Sequence, residues 1–112
     1  SQHDVLILSG GVSKGKFDYV PAALEKLGVT TLFHQVSQRP GKPFWFGKGP
    51  QGQVVFALPG NPVSTFMCFY RFVLPCLWKS FGYTPQGTQA VLGSDVVFKP
   101  DLTYFLQVKI TN

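Results

Sequence analysis

The sequence predicts an α/β fold, in which a parallel sheet with a helix crossing between strands is followed by a short β-rich C-terminal segment. Three observations carry that expectation. Residues 4–9 hold a continuous apolar run that ends in Gly-Gly, the pattern of a strand in a covered parallel sheet. Residues 19–27 have helical character, and residues 29–36 are rich in β-branched and aromatic side chains. From Gly82 onward Gly, Pro and Thr change the texture, and alternating runs follow.

Each element has a local cause. The strand at 4–9 is expected to be buried on both faces. The helix at 19–27 has Asp18 placed to cap it, Pro21 in its first turn and Gly28 to stop it. With the strand at 29–36 it makes a crossover, right-handed by the general rule for such units. "RPGKP", residues 39–43, is a loop that two prolines stiffen and Gly41 turns. Residues 44–46 and 54–58 read as strands around a polar turn. "LPGNPVS", residues 58–64, opens the next helix with Asn61 as its cap and Pro62 at its first position. That helix is expected to reach Phe81 with a kink or break at Pro75, and with Phe66, Tyr70, Val73, Leu74, Leu77 and Phe81 on one apolar face. Residues 82–87 read as a linker, and 88–98 and 103–111 as strands. The expected division is one α/β unit over 1–81, then a linker and the opening of a second, β-rich domain over 82–112.

The 112 residues suffice for one modest core, and 45% hydrophobic residues with eleven Phe exclude a disordered chain. Charged residues reach only 13%, low for a free-standing domain, so the chain reads as a fragment whose apolar surface faces the rest of a larger protein. The net charge is +5, and between Lys14 and Lys48 six cations face only Asp18 and Glu25. That excess favours an anionic partner. The cations sit beside Gly and Pro loops, with no basic helix and no aromatic RNA-binding signature, which argues against nucleic acid and for a small phosphate or oxyanion ligand. Cys68 and Cys76 lie about 12 Å apart along a helix, beyond the roughly 7 Å reach of a disulfide. Free thiols suit a reducing, cytoplasmic compartment. No signal peptide is expected, and the longest apolar stretch, interrupted by Arg71 and Pro75, falls short of a membrane span.

Ligands of open α/β sheets bind beyond the carboxyl ends of the strands, where Gly-rich loops let backbone N–H groups approach an anion. Gly10-Gly11-Val12-Ser13 and Pro59-Gly60-Asn61 are two such loops, and Arg39 and Lys42 lie on a third. Together they predict one shared anion pocket. Asp18 reads either as a helix cap or as a carboxylate for a divalent metal or a nucleophile. Ser64 reads either as a first-turn helix residue or as a hydroxyl donor to an oxyanion. Spacing leaves both pairs of readings open. His34 and His3 have no partners at metal-ligand spacing and read as structural or solvated.

"SGGVSKGKFDYV", "RPGKPFWFG" and "LPGNPVSTF", in this order and at these spacings, resemble the molybdenum-insertase family of molybdenum-cofactor synthesis. The resemblance implies a four-domain, dimeric enzyme whose third domain is a three-layer α/β sandwich that binds molybdopterin. This chain would be the C-terminal half of that domain and the start of a small β-barrel fourth domain. The parent protein would take adenylylated molybdopterin and molybdate, hydrolyse the adenylate with Mg²⁺ present, and insert molybdenum into the dithiolene with release of AMP. By the same resemblance Gly10, Gly11, Val12, Ser13, Gly60, Asn61 and Pro62 would hold the phosphate end of the pterin. Asp18 would be the catalytic acidic residue and the Mg²⁺ ligand, and Arg39, Lys42 and Ser64 would bind molybdate.

The chain departs from the family pattern in four places. Lys14 and Lys16 stand for an apolar and an acidic residue, Gln35 for a lysine of many relatives, and Leu102 for an arginine of the fourth domain. The other half of the third domain is missing, so this fragment alone is expected to be inactive. Two other readings stand beside the insertase. The adenylyltransferase of the same pathway shares the Gly-Gly and Leu-Pro-Gly loops, but would lack the Pro-Gly-Lys-Pro loop and the β tail. A molybdopterin-binding or scaffolding protein without turnover is permitted by Gln35 and Leu102.

Overall fold

A computed structural model of the chain describes residues 3–12, 19–99 and 101–111. Four strands form one sheet in the order β1 (Val5–Ser9), β5 (Val54–Leu58), β4 (Trp45–Lys48) and β2 (Thr30–His34). β1 and β5 are parallel, in register from Val5 opposite Val54 to Ser9 opposite Leu58. β4 is antiparallel to both β5 and β2, so β2 runs in the direction of β1. The helix α1 (Val20–Lys26) therefore connects two parallel strands as expected, but β5 and β4 lie between them.

The alternation of β5 sorts the core into two layers. Val55 and Ala57 pack with Trp45, Val12, Leu24 and Val29 on the side of α1. Phe56 and Leu58 pack with Phe44, Cys68 and Val73, beneath the helices α2 (Pro62–Cys68) and α3 (Leu74–Ser80). Helix, sheet and helix make three layers, and each large side chain buried there contributes about 1.5–3 kcal/mol. The strand buried on both faces is β5 rather than β1. Among the described residues β1 has one neighbour, and its Leu6 and Ile7 are exposed, which corrects the expectation for that strand.

Pro21 lies in the first turn of α1, and the N–H of Gly28 donates to the Glu25 carbonyl where the helix ends. The N-cap position belongs to Tyr19, which makes no side-chain capping bond; Asp18 lies outside the described residues. At α2 the expected cap is present, with the Asn61 side chain accepting from the N–H groups of Val63 and Ser64.

The long helix keeps helical backbone from Pro62 to Ser80 and accommodates Pro75 by a change of winding just before it. Residues Phe69–Val73 form a π turn, and α3 starts at Leu74 with Pro75 in its first turn, where a missing N–H costs little. The extra residue carries the buried line from Cys68 to Val73, five apart, which an unbroken α-helix would rotate by about 140°. Met67, Phe69, Phe72, Cys76 and Leu77 pack along that line. Phe66, Tyr70 and Phe81, expected on the buried face, point outward instead.

Among the described residues after 82, only β6 (Thr103–Tyr104) forms a ladder, parallel to β3 (Gln38–Arg39). Residues 88–98 form no strand and are almost wholly exposed. Alternation alone did not give them a partner to pair with.

Candidate functional site

The parallel register of β1 and β5 ends with Ser9 beside Leu58, so the two glycine-bearing loops leave the sheet side by side. The N–H of Gly10 donates to the Leu58 carbonyl at 2.9 Å. A Cβ on Gly60 would stand 3.4 Å from the Gly10 Cα, in van der Waals contact, so the two loops run close together there. β2 ends at the same edge, and β4 begins there opposite His34, so the loop from residue 35 to 44 joins the other two.

A cavity of about 340 Å³ opens where these loops meet, lined by Gly11, Val12, Pro43, Pro59, Gly60, Asn61 and Ser64. Its walls are held from behind. The Pro59 carbonyl accepts from the hydroxyls of Ser9, at 3.4 Å, and of Thr65. The Asn61 Oδ1 accepts from Val63 N at 3.0 Å and Ser64 N at 3.2 Å, which occupies that oxygen with capping. Pro62 faces away into an adjoining groove with Ser9, Thr65 and Phe66.

Arg39 and Lys42 are both exposed. Lys42 is anchored through its carbonyl, which accepts from the N–H groups of Val36 at 3.0 Å and Phe44 at 2.9 Å, and this leaves its ammonium group to reach outward. Arg39 lines a second cavity of about 700 Å³ with Phe66, Tyr70, Arg71, Tyr104 and Phe105. The structure thus brings Gly11, Val12, Gly60, Asn61 and Ser64 to one cavity and gives Arg39 to its neighbour across the loop. Gly10 touches the first cavity's wall through Gly60. Ser13 and Asp18, with Lys14 and Lys16, lie outside the described residues.

Two residues outside the three motifs hold these loops: His34, which reads in the sequence as structural or solvated, and Gln38, which the sequence does not single out. His34 Nε2 donates to the Val12 carbonyl at 2.7 Å, tying the end of β2 to the first loop. Its position at the carboxyl end of a strand was the available signal. Gln38 is buried and reaches the loop at Gly41. Between them Gln35 takes a positive φ of 67°, a conformation that ends β2 and turns the chain toward the loop. Among the described residues no group of three or more His, Cys, Asp or Glu side chains could hold a metal ion.

Comparison with known proteins decides the family. Residues 1–79 match the family described as "Probable molybdopterin binding domain". The chain belongs to this family. Within the molybdopterin-binding family it is 45% identical over 112 residues to the molybdopterin molybdenumtransferase of Synechocystis sp., covering 99% of this chain and 26% of that protein. It is 43% identical over 103 residues to gephyrin of Dictyostelium discoideum, covering 77% of this chain and 14% of that protein. The crystal structure of the molybdopterin biosynthesis MoeA protein from Pyrococcus horikosii superposes with a TM-score of 0.61 at 34% identity, over 72% of this chain and 19% of that one. The resemblance carried by the three motifs is borne out. This molybdopterin-binding-family chain spans about a quarter or less of the length of the curated relatives named here. Among its described residues no helix is long and apolar enough to cross a membrane.

Proposed function

We propose that the protein carrying this chain inserts molybdenum from molybdate into adenylylated molybdopterin, with release of AMP. The observation that carries the reading is the junction of the Gly10–Val12 and Pro59–Asn61 loops at one sheet edge, with Pro43 and Ser64 completing the cavity. Backbone amides and a hydroxyl in a glycine-lined recess suit a phosphate group. The names of the relatives supply the substrate class.

In this reading Gly10, Gly11, Val12, Ser13, Gly60 and Asn61 hold the phosphate end of the pterin, with Pro62 shaping that loop from the adjoining groove, and Lys42 and Ser64 receive molybdate, which Arg39 approaches from the neighbouring cavity. Guanidinium and ammonium donors suit a tetrahedral dianion. The donors described around the cavity include no carboxylate, so by themselves they do not fit Mg²⁺, which takes one or two carboxylates with substrate oxygens. The magnesium reading, and the catalytic one, therefore stand on Asp18. Residues 82–112 as a linker and the start of a further domain, a homodimeric parent and a cytoplasmic setting belong to the same proposal. The free thiols of Cys68 and Cys76 agree with a reducing compartment.

The test is conversion of adenylylated molybdopterin by the complete protein, followed through AMP release and active cofactor. Turnover that requires molybdate is expected, and Asp18→Asn should abolish AMP release while the fold survives. Tight pterin binding without turnover would favour a scaffold, the reading that Gln35 and Leu102 support. No binding at all would end the proposal.

A further inference from the structure

Gln38 belongs to none of the motifs, yet among the described residues it is the polar side chain that is buried, at 4% exposure. A carboxamide taken from water needs partners inside the protein. Its Nε2 donates to the Gly41 carbonyl at 3.0 Å and to the Cys68 sulfur at 3.6 Å. Gly41 is itself buried, pressed so closely on α2 that an added Cβ would stand 2.6 Å from the Cys68 Sγ. Its carbonyl has the Cys68 thiol at 3.9 Å as a second, weaker donor, so Gln38 is its main support.

The geometry points to Gln38 as a positioning residue: its carboxamide fixes Gly41, and with it the directions in which Arg39 and Lys42 meet an oxyanion. The main chain explains how. Gln38 N donates to the Val36 carbonyl, and Val36 N and Phe44 N both donate to Lys42 O. The side-chain bond closes the stretch between these fixed points, with Arg39 next to one end of the closure and Lys42 next to the other. A group moved by about 1 Å from its working place costs up to about a hundredfold in rate, read here at molybdate concentrations below saturation, where KM sets it. This inference rests on the insertase reading for its ligand, but the claim about the loop can be tested separately.

The experiment compares wild-type and Gln38→Leu complete protein, with Gln38→Met as a second apolar replacement should the first not fold. The KM for molybdate is expected to rise about tenfold, the worth of one buried hydrogen bond, with kcat within about twofold. Hydrogen exchange should quicken at the Val36 and Phe44 amides. It should stay unchanged at the Gly49 amide, which donates to the Gln53 carbonyl in the turn between β4 and β5. A folded variant with unchanged KM overturns the positioning role, even where exchange quickens. Equal quickening at all three amides overturns it as well, since that marks general loosening. If wild-type protein shows no molybdate-dependent turnover, the insertase reading falls, and the contrast between the amides alone decides whether Gln38 holds the loop.

Discussion

Gly41→Ala perturbs the loop and its seat together, and a second glycine separates the two effects. Gly41 has a φ of +94°, and a Cβ there would meet Cys68 Sγ at 2.6 Å, Gln38 Nε2 at 2.8 Å and Met67 Cε at 2.9 Å. Gly52 has a φ of +87° with nothing within 4 Å of the same added atom. Both replacements carry the cost of a left-handed backbone for an L-residue, about 1–2 kcal/mol. Only Gly41→Ala adds overpacking, about 1–3 kcal/mol. The Met67 methyl ends a flexible side chain and can yield, whereas Cys68 is fully buried in the helix layer, so the sulfur sets the cost. Urea unfolding followed by tryptophan fluorescence reads the difference, because Trp45 is fully buried. With a slope of about 1–3 kcal/mol per molar, the Gly41→Ala midpoint should fall about 1 M below that of Gly52→Ala. Coincident midpoints would refute the packing of this loop on α2.

Arg39→Ala combined with Lys42→Ala should raise the molybdate requirement of the complete protein strongly while leaving its unfolding midpoint in place, since both side chains are exposed; an unchanged requirement removes the loop from the anion site. Asn61→Ala should lower stability by about 1 kcal/mol through loss of the two capping bonds, read as a lower unfolding midpoint that Asn61→Asp restores. Burial raises the Cys68 thiol from 9.0 to about 11, against the opposing hydrogen bond from Gln38. The folded chain thus holds this proton more tightly than the unfolded one. Its contribution to stability is complete below about pH 9 and is lost as pH rises toward about 11, and Cys68→Ala should flatten that part of a stability-against-pH curve.

Much of this arrangement was legible because it is local. The stop at Gly28, the Asn61-Pro62 helix start and the hairpin of β4 and β5 depend on residues a few positions apart, and all three are present. Strand order is not local. Nothing in residues 4–36 reveals that β5 inserts beside β1, which makes β5 the covered strand and leaves Leu6 and Ile7 exposed. The face of the long helix was misjudged because a strict 3.6-residue period cannot anticipate the extra residue before Pro75. Alternation in the tail resembled strand pairing, but a strand also needs a neighbour, and among the described tail residues only Thr103–Tyr104 found one. Within the site the glycine loops declared themselves by composition. The loop-holding roles of His34 and Gln38 did not, since His34 bonds a backbone carbonyl distant in the sequence and Gln38 bonds the Gly41 carbonyl and the Cys68 sulfur inside the core.

The π turn makes the helix a counting device. Phe69–Val73 holds one residue more than the α-helical path needs, so everything after it is phased by that surplus. Deleting a single residue there would restore an even ladder of backbone bonds and swing Cys76 and Leu77 by about 100° around the axis, off the sheet. The length of this stretch is therefore as firmly specified as its composition, and a shortened variant with sound helical propensity would still lose its seat.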